Sequence, residues 1–377
     1  MNEKIIEIAN NFDFKGSLDT ITENNQGNIN KTYVLIYKDK NKSNKYLLQK
    51  INSNVFKNPY LVMKNIELIT NHITNKLKKM KDTTHKTLTI IKTKDNENLY
   101  TYTNEDGEKE YYRAYNFIEN CISYDSFNES KDAKILAYQV GKSFGFFQKL
   151  LSDFPINLLD ETIKDFHNTP KRFNDLLESI ENNITKRAFK CEKEIVMLIS
   201  KLKECSVIMN NLGKSIPIRP THNDTKLNNI LMDKETNEGI AIIDLDTVMP
   251  GSILFDIGDG IRSACSNALE DEKDKDKIFF NEDLIKEYLK GFLEETYDIL
   301  TNDEINYMGL SIKIITYEQT IRFLTDYING DTYFKIRYKE HNRDRFKNQY
   351  ILLKDIENKL DNINEFIFKT VDELKNK

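Results

Sequence analysis

Between residues 221 and 246 the chain reads THNDTKLNNILMD, then a short polar gap, then AIIDLD. His222, Asp224, Lys226 and Asn229 stand directly before two apolar runs separated by KETNEG. Runs of this length broken by a polar turn predict a β-hairpin over 230–244. Antiparallel pairing would bring Asn229 and Asp244, which flank its open end, close together. The fold must therefore place a polar loop, an amide and a carboxylate at one spot beside a core strand.

The rest of the chain divides into two regions of different periodicity. Before the hairpin, KTYVLIYKD and KYLLQKI predict strands around a KDKNKSN turn. NPYLVMKNIELITNHITNKLKKM predicts a helix, with Pro59 near its start and lysines crowding its end. KTLTIIKTK, NLYTYTN and KEYYRAYNFI predict three more strands, the last two joined at NEDG. From about residue 128 the pattern turns helical, beginning with the amphipathic KDAKILAYQVGKSFGFFQKLLSDF. The expectation is an α+β chain in three parts: a sheet-rich lobe over 1–117, a linker over 118–127 and a larger helical lobe over 128–377.

Sixty acidic residues against 55 basic ones argue against a nucleic-acid partner held by bulk charge. Four scattered cysteines form no CxxC pair, which excludes a zinc signature and fits a reducing compartment. No apolar run reaches the roughly 18 residues of a membrane span. The first residues, MNEKIIEIANNF, are too interrupted for a signal peptide. A cytoplasmic protein with no membrane partner is the expectation.

The spacing H-x-D-x-K-x-x-N followed by a hairpin and D-x-D suits phosphoryl transfer to a hydroxyl. That reaction needs a carboxylate to orient the alcohol and accept its proton, a cation near the migrating group, and oxygen ligands for Mg²⁺. Asp224, Lys226 and Asn229 offer these in turn, and Asp244, with Asp246 as a further candidate, adds the hard anionic ligand that Mg²⁺ prefers. QGNINKTY supplies one glycine, Gly27, that could approach a phosphate, and no GxxxxGK[ST] loop occurs. Further on, Arg322 lies inside the apolar helix IITYEQTIRFLTDYI and shares a face with Asp326. A guanidinium in such a place needs a fixed partner, and with Tyr333 these residues could form the polar fork and aromatic wall of a sugar site.

These stretches resemble the kinase-like phosphotransferases, which include aminoglycoside phosphotransferases, choline kinases and protein kinases. More narrowly, THNDTKLNNIL, IDLDTVMPG, FDIGDGIRS, YLLQKINSNVFKNP, YRAYNFIENCISYD and IRFLTDYINGDTYFK are similar to the N-acetylhexosamine 1-kinases. The resemblance implies a protein-kinase-like bilobal fold, ATP and Mg²⁺, Asp224 as catalytic base, and Asn229 and Asp244 as metal ligands. It makes Asp256 a residue that fixes the catalytic loop, and assigns Asn223, Arg322, Asp326 and Tyr333 to the acceptor. It also implies a phosphate-contacting base on YLLQKI, where the sequence departs from the V-A-I-K pattern. Gln49 or Lys50 stands there according to register, and Lys50 has the required charge, with Glu67 as its partner on the following helix. Adenine would meet backbone groups near Tyr115, Asn116 and Phe117. The implied reaction transfers phosphoryl from ATP to the anomeric hydroxyl of an N-acetylhexosamine such as GlcNAc or GalNAc. Two alternatives stay open: a kinase of this fold for another small hydroxyl compound (another sugar, an aminoglycoside or choline), and a non-catalytic pseudokinase that only binds.

Overall fold

The computed structural model describes residues 2–24, 29–40 and 42–376. In chain order the first part holds α1 (Asn2–Ala9), β1 (Ser17–Asn24), β2 (Lys31–Asp39), β3 (Lys42–Ile51), α2 (Pro59–Met80), β4 (Ile90–Ile91), β5 (Tyr100–Thr103) and β6 (Lys109–Asn116). All its strands are antiparallel, in the order β1-β2-β3-β6-β4, with β5 also on β6. Both faces of this sheet are covered. On one, Ile5 and Ile8 of α1 pack with Leu35, Leu48, Tyr112 and Ala114. On the other, Val62, Ile66 and Ile69 of α2 join a larger core with Ile51 and Tyr115.

The helix over 59–80 forms where its punctuation predicts. The Asn58 side chain caps the Leu61 N–H, Pro59 opens the first turn, and Lys78 and Lys79 lie in the last. Three expectations change. α1 and β1 were not foreseen: α1 is only two turns long, and β1 is an edge strand with no fully buried residue, so its apolar alternation is faint. Of the strand expected over KTLTIIKTK, only Ile90–Ile91 joins the sheet, and Thr93 makes an isolated bridge to Phe12. Nearby, the Lys86 N–H instead donates to the Ile240 carbonyl at 2.9 Å.

After β6 the chain continues through β7 (Cys121–Ile122), α3 (Ala133–Leu150), α4 (Thr169–Asn182), α5 (Glu192–Cys205), α6 (Val207–Asn211) and β8 (Arg219–Thr221). Next come β9 (Ile230–Asp233), β10 (Gly239–Ile242), β11 (Met249–Gly251), α7 (Ile253–Ala264), α8 (Glu282–Thr296), α9 (Asn302–Asn329) and α10 (His341–Lys375). The fold is α+β: an antiparallel N-terminal sheet and a larger helical part. β9 and β10 form the expected hairpin, and β7 adds to its edge. α3 and α8 cross closely: a Cβ at Gly141 would fall 1.9 Å from the Tyr288 carbonyl oxygen, and one at Gly291 2.1 Å from that of Tyr138. α9 is buried along most of its length, between a Thr301/Glu304 capping box and a left-handed Gly330. It packs on α4, α7 and α10, and so forms the floor under the polar loop that follows β8.

Candidate active site

The loop after β8 is held from below by one residue. Asp256, in the first turn of α7, accepts the His222 N–H at 2.9 Å and the Asn223 N–H at 2.7 Å, and Gln148 of α3 at 2.7 Å. Its own carbonyl accepts the Thr225 hydroxyl at 2.6 Å. Burial pushes this carboxyl up, against the pull of His222 and of the donors it binds. His222 is buried edge-on to Phe144 and Phe147, and its Nε2 donates to the Ile243 carbonyl at 2.9 Å. This ties the loop to the end of the hairpin. Asn223 takes a left-handed conformation (φ 63°), which an Asn tolerates, and turns the chain so that Asp224 projects out of the loop.

Around Asp224 the geometry is compact. Lys226 Nζ lies 2.7 Å from Asp224 Oδ1. The Lys226 side chain is half exposed; the protein around it would lower its ammonium, but Asp224 and Asp259 more than offset that and hold it above the usual lysine value. Asn229 Nδ2 donates to the Asp224 carbonyl at 2.8 Å and to its Oδ2 at 3.3 Å. The Ile243 N–H donates to the Asn229 carbonyl at 2.9 Å, so the hairpin brings Asn229 next to Asp244. Asp244 is left-handed (φ 57°), with a carboxylate open to the cleft. Surrounding protein, then Asp246 and Asp224, push its carboxyl up to about 6, although Arg113 and His222 pull the other way.

That accumulation of negative charge fits a divalent cation. Among the described residues no group of three or more His, Cys, Asp or Glu is placed to hold a metal alone. Mg²⁺ does not require one, since it usually takes one or two protein oxygens together with phosphates and water. The amide oxygen of Asn229 and the carboxylate of Asp244 match that donor set.

Other expected residues lie elsewhere or are already engaged. Gly27 is outside the described residues. Lys50 is on the α1 face of the sheet, 2.7 Å from Glu110, while Gln49 points to the opposite face. A register one residue away from the expectation explains this, because neighbouring residues of a strand face opposite ways. Glu67 does not meet Lys50: it accepts from Lys92 and Asn98, each at 2.7 Å. Tyr115 is buried, its ring 5.4 Å from the Arg113 guanidinium. The N–H groups of Asn116 and Phe117 donate inside the sheet region, to Thr89 and Lys45 carbonyls, and so are not free for a base. Asn223 spends its side chain on Thr221 and the Thr247 carbonyl.

Asp246 is buried rather than open. It is ion-paired with Arg113 of β6 and accepts Asn30 Nδ2 at 2.7 Å, so it anchors the loop after β10 to the sheet. Arg113 also donates through Nε to Gln49 at 3.0 Å. Sequence reasoning missed Arg113. The signal was present in YYRAY: a charged residue alternating with aromatic ones on a strand is seldom solvent-facing on a sheet covered on both sides.

On the helical side, Arg322 and Asp326 share a face but do not pair. Asp326 is buried and accepts the N–H groups of Thr332, Tyr333 and Phe334 and the Asn342 amide, so it shapes the turn after α9. Arg322 donates to Gln319 at 3.0 Å and lies over the Phe334 ring at 5.5 Å. Tyr333 is 70% exposed. Arg322, Asp326 and Tyr333 line a cavity of about 370 Å³ with Arg172, Asp175 and Phe334. A groove of about 600 Å³ runs beside Phe117 and Glu119, between β3 and the end of α2.

A profile of the phosphotransferase enzyme family, APH, matches residues 99–297, more than half of the chain, including the polar loop after β8 and the hairpin. The chain belongs to that family. Among solved structures it is similar to a microcompartment-associated aminopropanol kinase (13% identity, TM-score 0.59, 96% of this chain and 98% of that one). It is also similar to a choline kinase from Cryptosporidium parvum Iowa II (15% identity, TM-score 0.56, 98% and 100%). An amicoumacin kinase in complex with AMP-PNP and Ca²⁺ matches at 12% identity and TM-score 0.55, over 95% and 93%. The protein is therefore a member of the phosphotransferase enzyme family with the kinase-like fold. No helix among its described residues is long and apolar enough to cross a membrane.

Proposed function

We propose that this kinase transfers the γ-phosphoryl of ATP to the anomeric hydroxyl of an N-acetylhexosamine, giving the sugar 1-phosphate. The observation that carries the phosphotransfer is the single locus formed by Asp224, Lys226, Asn229 and Asp244. Asp224 orients the acceptor hydroxyl and takes its proton, the role a carboxylate fills when it projects from a rigid loop. Lys226 keeps a positive charge beside Asp224, where the migrating group passes. Mg²⁺, when bound by Asn229 and Asp244, neutralises phosphate charge. The adenine lies against the connecting segment just beyond Phe117, where the Ile118 and Glu119 N–H groups have no backbone acceptor among the described residues.

The sugar reading draws on the resemblance of the catalytic and α9 segments, and on the cavity at Arg322. Amines such as choline or aminoglycosides call for unspent carboxylates. Here Asp326 is consumed by the turn and Asp175 is paired with Lys171, which leaves Glu178 as the one lining carboxylate with no partner of either kind among the described residues, set against the positive charge of Arg172 and Arg322. Hydroxyl and amide groups of a neutral sugar suit guanidinium donors beside the Phe334 ring. The test is phosphorus NMR with ATP, Mg²⁺ and either GlcNAc, GalNAc, hexoses lacking the N-acetyl group, choline or an aminoglycoside. A sugar 1-phosphate signal from the first two is expected. Phosphorylation of an amine acceptor alone would overturn the sugar reading.

A further inference from the structure

One peptide group, the bond that joins Asn223 to Asp224, is gripped at both ends by imidazoles. At its nitrogen end, the Asp224 N–H donates to His222 Nδ1 at 3.3 Å, while Nε2 of that ring donates to the Ile243 carbonyl. At its carbonyl end, Asn223 O lies 3.2 Å from Nε2 of His167. The other ring nitrogen of His167, Nδ1, lies 3.0 Å from Glu318 Oε1. A carbonyl can only accept, and so can an ionised carboxylate. Both nitrogens of His167 must then carry protons.

We propose that His167, held as an imidazolium by Glu318, is a positioning residue for Asp224: it fixes the carbonyl before the catalytic base and so aims that base at the acceptor. The proposal rests on the reading of Asp224 given above. His167 stands just before α4 and Glu318 lies in the middle of α9, so the pair joins two helices to the catalytic loop. Glu318 is 2% exposed and also accepts the Thr169 hydroxyl at 3.1 Å. His167 is enclosed by Phe166 and Phe255. Its charged neighbours are Glu318 on α9 and Asp259 on α7, while Arg322 of α9 and Arg172 of α4 bear on Glu318. The two arginines favour the carboxylate, and the two acids favour the imidazolium. Burial alone would lower the imidazole, yet Glu318 and Asp259 hold it above its usual value. Burial likewise opposes ionisation of Glu318, and His167 and the arginines hold it below the usual carboxylate range.

Loss of the ring proton at high pH would remove one of the two bonds. Either Glu318 or Asn223 O would then face a bare lone pair, and the loop would loosen just before Asp224. Turnover should fall on an alkaline limb while ATP binding is untouched, since neither residue faces the metal acids.

The experiment combines nitrogen-15 NMR of the full-length protein with kinetics of two variants. At neutral pH His167 should show two protonated ring nitrogens, and Glu318→Gln should lose that signature. Glu318→Gln should lower kcat by up to about 100-fold, the scale of a slightly misplaced catalytic group. Its KM for ATP should stay within about twofold, and its alkaline limb should move to lower pH. His167→Gln keeps an amide donor for Asn223 O but cannot titrate. It should retain more activity than Glu318→Gln and lose the limb altogether. A singly protonated His167 at neutral pH, or wild-type kcat and pH profile in both variants, would overturn the proposal. Should the wild-type enzyme phosphorylate no acceptor, the functional reading fails by itself. The NMR signature, and its loss in Glu318→Gln, then still decides for or against the pair.

Discussion

Replacing Arg113 by Met tests the link between the sheet and the loop after β10. Arg113 and Asp246 are almost wholly buried, with side chains 2% and 3% exposed. Met matches the length of the arginine stem but offers no donor. Asp246 would keep only the Asn30 amide, and Gln49 would lose the Arg113 Nε. Removing one partner of a buried ion pair costs about 3–5 kcal/mol, because the other charge stays desolvated. Total stability is typically ~5–15 kcal/mol, so the variant should fold with a markedly lower unfolding midpoint in urea. The double variant Arg113→Met with Asp246→Leu should recover most of the loss, since an apolar pair of similar volume carries no desolvated charge. Catalysis offers a second readout. The Arg113 charge restrains the rise of the Asp244 carboxyl, which stands at about 6 with Arg113 present. Without it the protonated fraction at neutral pH grows, metal–nucleotide binding weakens, and raising the pH restores it. The KM for Mg·ATP against pH reads this directly. Stability within about 0.5 kcal/mol of wild type, the range of ordinary surface changes, together with an unchanged KM profile, would refute the reasoning.

Asp224→Asn should lower kcat by orders of magnitude with little change in ATP affinity measured by calorimetry; near-normal turnover would remove Asp224 from its role. Gly141→Ala pushes a methyl into the Tyr288 carbonyl and should destabilise by about 2–3 kcal/mol in thermal unfolding, with the α3–α8 contact as the cause. Glu110 resists protonation: burial would raise its carboxyl, but Lys4, Lys50 and Tyr112 hold it at about 2. A depressed value means that its stabilisation is complete above 4.5 and fades as pH falls toward about 2. The stability gap between wild type and Glu110→Gln should close across that window, and a gap that persists unchanged would disprove the assignment. Lys50→Met should cost part of the same stabilisation and leave the KM for ATP unaltered, since Lys50 faces α1.

The parts of this protein that are readable from sequence are those decided within a few residues along the chain. The hairpin over 230–242 follows from two apolar runs and a turn, and it alone brings Asn229 beside Asp244. The helix over 59–80 follows from Asn58, Pro59 and its terminal lysines. α9 follows from Thr301, Glu304 and Gly330. Such features are local hydrogen-bonding and steric choices, so the residues that make them are neighbours in the chain.

Which polar side chains meet across long separations, and which face of a strand they use, depends on how the elements pack. β3 is covered by α1 on one side and by α2 and the cleft on the other, so no apolar alternation distinguishes Gln49 from Lys50. Asp246 takes its counter-charge from Arg113 of β6, 133 residues earlier, and not from β3. His167 and Glu318 are 151 residues apart, and nothing near either one announces the other. Burial makes these pairings obligatory, because a charge removed from water must find a counter-charge or donors. The partner it finds depends on how the helices and sheet pack. Neighbours in the chain account for the hairpin and for the polar loop before it; the packing of α4, α7 and α9 beneath that loop, and the pairing of Arg113 on β6 with Asp246, set how the loop is held.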